Sequence, residues 1–317
     1  MEKCKNKLQL MEKLKEMRRY CGNVLREMRE YGWFKNELSI ATMVRNEAPY
    51  LKEWIEYHKL VGVQTFYIYD NYSADATKEV LQPYIESGVV VYTLFPAEEA
   101  HSLETQIQAF NDAITRYKNK TRWLALIDAD EFIVPVHADT ITSVIKDVER
   151  KTARKKFGAL CVFWVLYGFS GHCRKPDGLV IENYTRSRVK ELTKAASANY
   201  VWIEQEWIKS IVNPRMTAAY YIHGGAYING RCGIDERGNR MQEDGGVPEG
   251  VAASVEKIRI NHYWTKSYEE FAGKIKRTKA HDAEKYTMIE YDAGFLSQRE
   301  DRIMERYLAP LKDAMKN

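Results

Sequence analysis

Features of a secreted or membrane-spanning protein are scarce in this sequence. Its five cysteines are odd in number and show no Cys-x-x-Cys spacing, which argues against a disulfide framework or a thiolate zinc site and favours a reducing compartment. The amino terminus, MEKCKNKLQL, lacks the apolar core of a signal peptide. The longest apolar run, Ala159–Tyr167, has the length of a strand and is too short to cross a bilayer as a helix. These absences predict a cytoplasmic protein.

An excess of charge of one sign is also missing. The 48 basic and 44 acidic residues leave a net charge of +4, so we predict no nucleic-acid partner, which needs a concentrated basic face. The chain has no Gly-x-Gly-x-x-Gly and no Gly-x-x-x-x-Gly-Lys-Ser/Thr sequence. The absence of these two motifs argues against a dinucleotide-dependent oxidoreductase and against a P-loop NTPase. Its 317 residues, 45% of them hydrophobic, are enough to bury a substantial core.

The first 37 residues have a pattern of their own. Apolar side chains within residues 5–31 recur at three- and four-residue steps, which predicts an amphipathic helix. Its other face is basic, with Lys13, Lys15, Arg18, Arg19, Arg26 and Arg29. Such a helix either packs on its own domain with a solvated outer face, pairs with a partner helix, or lies on an anionic membrane surface.

The next hundred residues alternate between strands and helices. Strands are predicted at 38–44, 65–70, 88–95 and 122–128, and helices at 49–60, 74–87 and 102–118. This alternation predicts an α/β fold with a Rossmann-like, mainly parallel sheet flanked by helices.

The regular alternation of predicted strands and helices ends after Ile133. We predict helices at 140–150, 267–281 and 299–312, strands at 158–167, 179–189 and 216–222, and a loop rich in glycine and charge at 230–250. No linker divides the chain. The pattern therefore predicts a single domain at 38–317, with a nucleotide-binding half at 38–135 and an elaborated acceptor half, including the C-terminal helices, at 136–317.

Acidic residues follow the predicted strands where they end. Asp70 ends the second strand, and Asp128, Asp130 and Glu131 follow the fourth. Ligands of open parallel sheets bind at the carboxyl ends of strands, so we interpret Asp70 as a site residue, with capping of the next helix as the alternative. Three adjacent carboxylates repel one another, which predicts a metal ion, a basic side chain or a ligand's cation beside them. The Asp128 and Asp130 pair suits Mg²⁺ or Mn²⁺ whose shell is completed by a substrate's phosphates.

Three blocks of the sequence carry a resemblance to a known family. They are IATMVRNEAPYLKEWIEYHKLVGVQTFYIYDNYSADAT, ALIDADEFI and INHYWTKSYEEFAGKIKR. Together they resemble glycosyltransferase family 92 and its bacterial relatives, which are similar to the family 2 glycosyltransferases of GT-A fold. The likeness runs from about Leu38 to Lys279 and implies a GT-A domain that binds a nucleotide sugar.

The resemblance also implies a role for each matching residue. Asp70 would bind the nucleoside, and Arg45 would lie along the nucleotide. Asp128 would be shared between the ribose and a metal ion, and Asp130 and His262 would be metal ligands. The implied cofactor is Mn²⁺ or Mg²⁺.

Other residue roles stay open at the level of the sequence. Lys209 and Lys266 are candidates for neutralising the leaving diphosphate, with a solvated surface charge as the alternative. The sequence does not assign the general base that would activate the acceptor hydroxyl, because several acidic residues are candidates for this role. They are Glu131, Glu182, Glu204, Glu206, Asp235, Glu236, Glu243 and Asp244. Glu243 and Asp244 resemble the acidic pair of family 2 enzymes, although a solvated loop is the simpler interpretation. Candidates to contact a sugar, or else to pack in the core, are His172, His223, Trp164, Trp202, Trp207 and Trp264.

These features predict a metal-dependent, inverting glycosyltransferase that uses a UDP-sugar. The predicted acceptor is a glycan or lipid-linked saccharide in surface polysaccharide assembly, with peripheral contact at the inner membrane face. One alternative is a non-catalytic binding module, which a damaged metal pair would indicate, but Asp128 and Asp130 are both present. A phosphohydrolase of the haloacid type is disfavoured because Glu131 and Phe132 follow the acidic pair in place of its usual motif.

Overall fold

The computed structural model describes residues 34–96, 98, 101–152, 157–188, 207–277 and 298–316. The helix predicted at 5–31 and the residues Trp202, Glu204 and Glu206 lie outside the described residues. Within the described ranges, no helix has both the length and the apolar composition that crossing a membrane requires.

The described residues form strands and helices in the following order along the chain. The strands are β1 (Asn36–Val44), β2 (Thr65–Asp70), β3 (Val90–Leu94), β4 (Thr121–Leu126), β5 (Glu131–Pro135), β6 (Ala159–Leu166), β7 (Arg186–Arg188), β8 (Ile208–Val212), β9 (Thr217–Tyr220), β10 (Gly225–Tyr227), β11 (Gly233–Ile234), β12 (Ile258–His262) and β13 (Gln298–Glu300). The helices are α1 (Ala48–Leu60), α2 (Thr77–Glu86), α3 (Leu103–Tyr117), α4 (Ile141–Lys151), α5 (Val180–Asn183), α6 (Tyr268–Arg277) and α7 (Glu305–Ala314).

One large sheet organises the fold. Its nine strands lie in the order β3-β2-β1-β4-β8-β6-β12-β5, and β11 pairs with β6 beside this path. The neighbours from β3 to β4 are parallel, as are β6 with β12 and β6 with β11. β8 is antiparallel to both of its neighbours, and β5 is antiparallel to β12. This mainly parallel α/β sheet confirms the predicted fold class.

Helix α1 fixes the position of β5, the strand that follows the acidic turn. The Trp54 indole donates a hydrogen bond to the Glu131 carbonyl at 2.8 Å, and the Tyr57 hydroxyl donates one to the Ile133 carbonyl at 3.0 Å. His58 donates from Nδ1 to the Trp54 carbonyl at 2.8 Å and accepts from the Ile133 amide at Nε2, at 3.2 Å. Burial lowers the pKa of His58 to about 3, so the neutral ring that this bonding needs is the stable form.

Two predicted elements of the second half are wrong, and tertiary contacts explain both. The strand predicted at 179–189 is the short helix α5 followed by β7, because the Glu53 carboxylate on α1 accepts the amides of Val180 and Ile181 at 2.8 and 3.0 Å. The helix predicted at 299–312 begins only at Glu305, because the preceding residues pair with β7 as strand β13.

Candidate active site

Six strand ends meet at one edge of the large sheet. The parallel strands β1, β2 and β4 place their carboxyl ends side by side. β8 runs the other way, so its amino end, with Lys209 as second residue, lies at the same edge. The carboxyl ends of β6 and β12 join them, and His262 is the last residue of β12. Residues distant in sequence are thereby gathered at one place.

A cavity of about 490 Å³ opens at this edge. That volume lies within the range of small-molecule sites. Six charged side chains line it, three of each sign: Arg45, Lys209, Lys274, Glu47, Asp128 and Asp130. The remaining wall is largely aromatic and apolar, and includes Trp164, Trp207, Trp264, Leu103, Ile222, His223 and His262.

Asp128 is held by side chains from two other elements. The Lys209 ammonium lies 3.1 Å from its Oδ2, and the Gln106 amide, in the first turn of α3, donates to its Oδ1. Lys209 is only 1% exposed. Burial by itself would lower the pKa of Lys209, but the Asp128 and Glu131 carboxyl groups outweigh that effect and raise it. The ammonium is therefore charged and fixed beside Asp128.

Asp130 lies between a lysine and a histidine. The Lys274 ammonium on α6 is 2.8 Å from Oδ2, and His262 Nε2 is 3.4 Å from Oδ1. Burial would raise the pKa of Asp130, but Lys274 and His262 outweigh it and hold this pKa well below its usual value. Asp130 is thus a negatively charged carboxylate that Lys274 and His262 stabilise.

The third acid of the turn, Glu131, faces inward. It is fully buried, and its Oε2 accepts the Asp128 amide at 3.0 Å, whereas Oε1 has no hydrogen-bond partner among the described residues. Burial raises the pKa of Glu131 well above its usual value, although Lys209 acts in the opposite direction. The positive partners that the acidic turn was expected to have are the side chains of Lys209 and Lys274.

Comparison with known proteins identifies the family. The profile of glycosyltransferase family 92 matches residues 37–242, well over half of the chain. The chain belongs to glycosyltransferase family 92. This confirms the family predicted from the three sequence blocks.

Relatives of this family 92 chain include plant proteins that are longer. A family 92 protein of Arabidopsis thaliana is 26% identical over 78% of this chain and 38% of its own length. Galactan beta-1,4-galactosyltransferase GALS3 of the same plant is 33% identical over 31% of this chain and 21% of its own length. The chain thus spans less than two fifths of the length of either relative.

Among solved structures, S. aureus TarS (residues 1–349) in complex with UDP-GlcNAc is similar to this chain. The identity is 11% and the TM-score is 0.35, over 57% of this chain and 46% of that one.

The predicted donor residues of this family 92 chain are only partly gathered in the cavity. Arg45 lines the cavity at an exposed position after β1. Asp70 does not line it: one oxygen accepts the Ser73 amide at 2.9 Å and the other accepts the Tyr92 hydroxyl at 2.6 Å. These hydrogen bonds use both oxygens of Asp70 within the turn after β2.

Lys266, the other predicted diphosphate partner, is not among the residues that line the cavity, although its charge helps to lower the pKa of Asp130. It is 7% exposed, has a left-handed φ of 50°, and its ammonium lies 4.0 Å from the centre of the Tyr50 ring. Lys274, eight positions later on α6, is the lysine that reaches the acidic turn from this segment. Sequence reasoning missed Lys274 because the helix EEFAGKIKR offers several basic residues and no local signal distinguishes one of them.

Glu243 and Asp244 are exposed and do not line the cavity. The backbone of their loop packs closely against Gly224, where an added Cβ would lie 2.4 Å from the Glu243 carbonyl oxygen. Glycine at 224 thus lets this loop support the residue before it, His223.

His223 itself lines the cavity. Its Nδ1 is 2.9 Å from the Ile208 carbonyl, an acceptor, so Nδ1 carries the proton and Nε2 is the basic atom. Burial, aided by Lys209, lowers the pKa of His223 to about 4. The preceding residue, Ile222, has a φ of 82°, which costs a β-branched residue about 1–3 kcal/mol. Such strain is typical of functional sites.

The other predicted aromatic and imidazole contacts separate into two groups. Trp164, Trp207 and Trp264 line the cavity. His172 does not: its Nε2 is 3.1 Å from the Asn183 carbonyl, and its ring packs edge-on against Tyr184. These contacts place His172 in loop packing.

The residues at the acidic turn fit a divalent cation whose coordination shell is completed by oxygens of a bound ligand. Asp130 Oδ1 and His262 Nε2 are 3.4 Å apart, close to the roughly 3 Å between neighbouring ligands of an octahedral ion with bonds of about 2.1 Å. No three His, Cys, Asp or Glu side chains converge in the part of the chain that the structure describes, so phosphate and water oxygens would supply the rest. His262 Nδ1 is buried without a hydrogen bond to any described residue, and packing 4.4 Å from the Trp164 ring orients this imidazole.

Charge balance also fits a cation. The three basic and three acidic side chains that line the cavity cancel one another. A diphosphate that enters would add two or more negative charges in a partly buried place. A divalent ion that enters with the diphosphate would restore neutrality. Magnesium- and manganese-type sites commonly bind their ion with one or two carboxylates together with the phosphates of the substrate.

Proposed function

We propose that this chain is a divalent-cation-dependent glycosyltransferase that moves a sugar from a nucleotide sugar to a hydroxyl of a glycan or lipid-linked saccharide. The observation that carries the proposal is the cavity at the end of β4, where Asp128 and Asp130 lie between two lysines. Family 92 membership supports it. The proposed donor is a UDP-sugar, and the name of the galactan galactosyltransferase relative makes a galactose-bearing donor the first to test.

The proposed reaction is a single displacement. The acceptor oxygen forms a bond to the anomeric carbon while the bond from that carbon to the diphosphate oxygen breaks, and the nucleoside diphosphate leaves with the electron pair. Attack opposite the leaving group inverts the anomeric configuration. Bound Mn²⁺ or Mg²⁺ supplies Lewis-acid stabilisation of the leaving group. Lys209, Lys274 and Arg45 add positive charge to the lining of the cavity.

The acceptor side is assigned to the aromatic wall. Trp164 and Trp207 have ring centres 6.1 Å apart, and His223 packs 4.6 Å from the Trp207 ring. Aromatic faces suit the apolar faces of sugars. His223 Nε2 is proposed to accept the proton of the attacking hydroxyl, because a pKa of about 4 leaves it unprotonated at neutral pH and as basic as an ordinary carboxylate.

Calorimetric titration with UDP tests the function. We expect Mn²⁺ to strengthen UDP binding by about tenfold or more, since the added charge of the diphosphate needs compensation. A screen of nucleotide sugars for slow, Mn²⁺-dependent hydrolysis then identifies the donor without knowledge of the acceptor. UDP binding without turnover of any donor, with or without saccharide acceptors, would favour the non-catalytic module instead.

Replacing His223 with glutamine tests the proton acceptor. We expect kcat for sugar transfer to fall by about 100-fold, because glutamine keeps a polar side chain but has no basic nitrogen. UDP affinity should stay unchanged, since His223 is assigned to the acceptor side. His137→Gln, at an exposed position after β5, is the matched control. Equal transfer rates for both variants would exclude His223 as the base.

The cytoplasmic location and the peripheral contact with the inner membrane face remain predictions. The membrane contact depends on the basic helix at 5–31, which lies outside the described residues.

A further inference from the structure

Each oxygen of the Asp128 and Asp130 carboxylates already has a partner in the protein. Lys209 and Gln106 contact the two oxygens of Asp128, and Lys274 and His262 contact those of Asp130. Lys209 is fully enclosed, whereas the Lys274 side chain is 34% exposed. Of these two ammonium groups, that of Lys274 is therefore the one with room to move.

Lys274 has further contacts within reach of the same place. Its ammonium is 3.3 Å from the Trp264 carbonyl and 4.5 Å from the centre of the Trp264 ring. These two acceptors remain available to the ammonium if it leaves the carboxylate. Lys274 also lines the cavity together with Arg45 and Lys209, so a diphosphate in the cavity lies within reach of its flexible side chain.

A divalent cation and the Lys274 ammonium compete for the same carboxylate. The ammonium is 2.8 Å from Asp130 Oδ2, where its charge opposes a second cation a few ångströms away. Without a nucleotide, a metal ion therefore has to displace an ion pair. With a diphosphate present, both cations have an anionic partner and the competition ends.

We propose that Lys274 is the counter-ion of Asp130 when no donor is bound, and that it transfers from Asp130 to the donor's diphosphate when a divalent cation and a nucleotide sugar bind together. The exchange makes metal and donor binding mutually dependent, because either ligand removes part of the cost of binding the other. Lys274 is thus a positioning and donor-binding residue. This inference rests on the proposed function.

The test measures the affinity of the full chain for Mn²⁺ in the absence of nucleotide. Either calorimetry or the electron paramagnetic resonance signal of free Mn²⁺ gives this affinity. In Lys274→Met the competitor is gone, so we expect Mn²⁺ alone to bind about tenfold more tightly than in the wild type. UDP in the presence of Mn²⁺ should bind about tenfold more weakly, since the diphosphate loses one cation. A merely structural role for Lys274 would weaken both affinities.

Three comparisons make the result decisive. Lys151→Met removes an exposed lysine of α4 and should leave both affinities unchanged. Lys274→Gln replaces Lys274→Met if the latter does not fold. In the wild type itself, UDP should strengthen Mn²⁺ binding, and the gain should shrink in either Lys274 variant.

The outcomes separate this inference from the proposed function. If the wild type binds UDP with Mn²⁺ but the Lys274 variants bind Mn²⁺ alone no more tightly, the counter-ion exchange is overturned and the transferase assignment stands. If the wild type binds neither UDP nor Mn²⁺, the proposed function fails, and the exchange fails with it.

Discussion

Asp130→Asn is expected to lower the turnover of the nucleotide sugar about a thousandfold. The substitution keeps the size of the side chain and removes its negative charge, which is the charge that a cation at the carboxyl end of β4 would use. Loss of metal stabilisation worth about 4 kcal/mol in the transition state corresponds to this factor. Mn²⁺ should also cease to strengthen UDP binding, which calorimetry measures separately from turnover.

The matched control for Asp130→Asn is Asp313→Asn, which removes an exposed carboxylate of α7 that pairs with Lys316. We expect wild-type turnover from it. The melting temperature of each variant is compared, because Asp130 also neutralises Lys274. A folded Asp130→Asn protein that retained Mn²⁺-dependent UDP affinity would remove the basis for the metal site.

Lys209→Met is expected to affect both stability and function. The ammonium is 1% exposed and lies 3.1 Å from Asp128, while the methionine side chain is close to it in length. Removing one partner of a buried ion pair costs about 3–5 kcal/mol, and we expect about 3 kcal/mol because the Asp128 side chain is 30% exposed. Chemical denaturation measures this loss, and donor turnover should fall because a cation beside the diphosphate is gone.

A double-mutant cycle separates the charge from the packing. Adding Asp128→Asn to Lys209→Met removes the uncompensated carboxylate, so the double variant should recover part of the lost unfolding free energy. Turnover should not recover, because neither the cation nor the carboxylate returns. If the second substitution lowers stability by the same amount as it does in the wild type, the two side chains are not coupled and the ion pair contributes little.

The sequence predicted the first half of the fold because its signals are local. Apolar strands that alternate with amphipathic helices, from Leu38 to Asp128, require only near neighbours along the chain for their interpretation. The antiparallel strands β5 and β8 were not predicted, because five-residue strands that pair with distant segments carry weak periodicity. The strand predicted at 179–189 failed for a related reason, since Glu53 on α1 decides the conformation there.

For the site, the sequence by itself determined the family and placed Asp128 and Asp130 at the end of β4, since strand-end acids are a pattern within a few residues. Only the tertiary structure decided which cations meet them. Lys209 arrives on a reversed strand, Lys274 arrives from α6, and Lys266 turns onto Tyr50. The direction of a side chain depends on the strand order and backbone angles of segments more than eighty residues apart, which no local pattern contains.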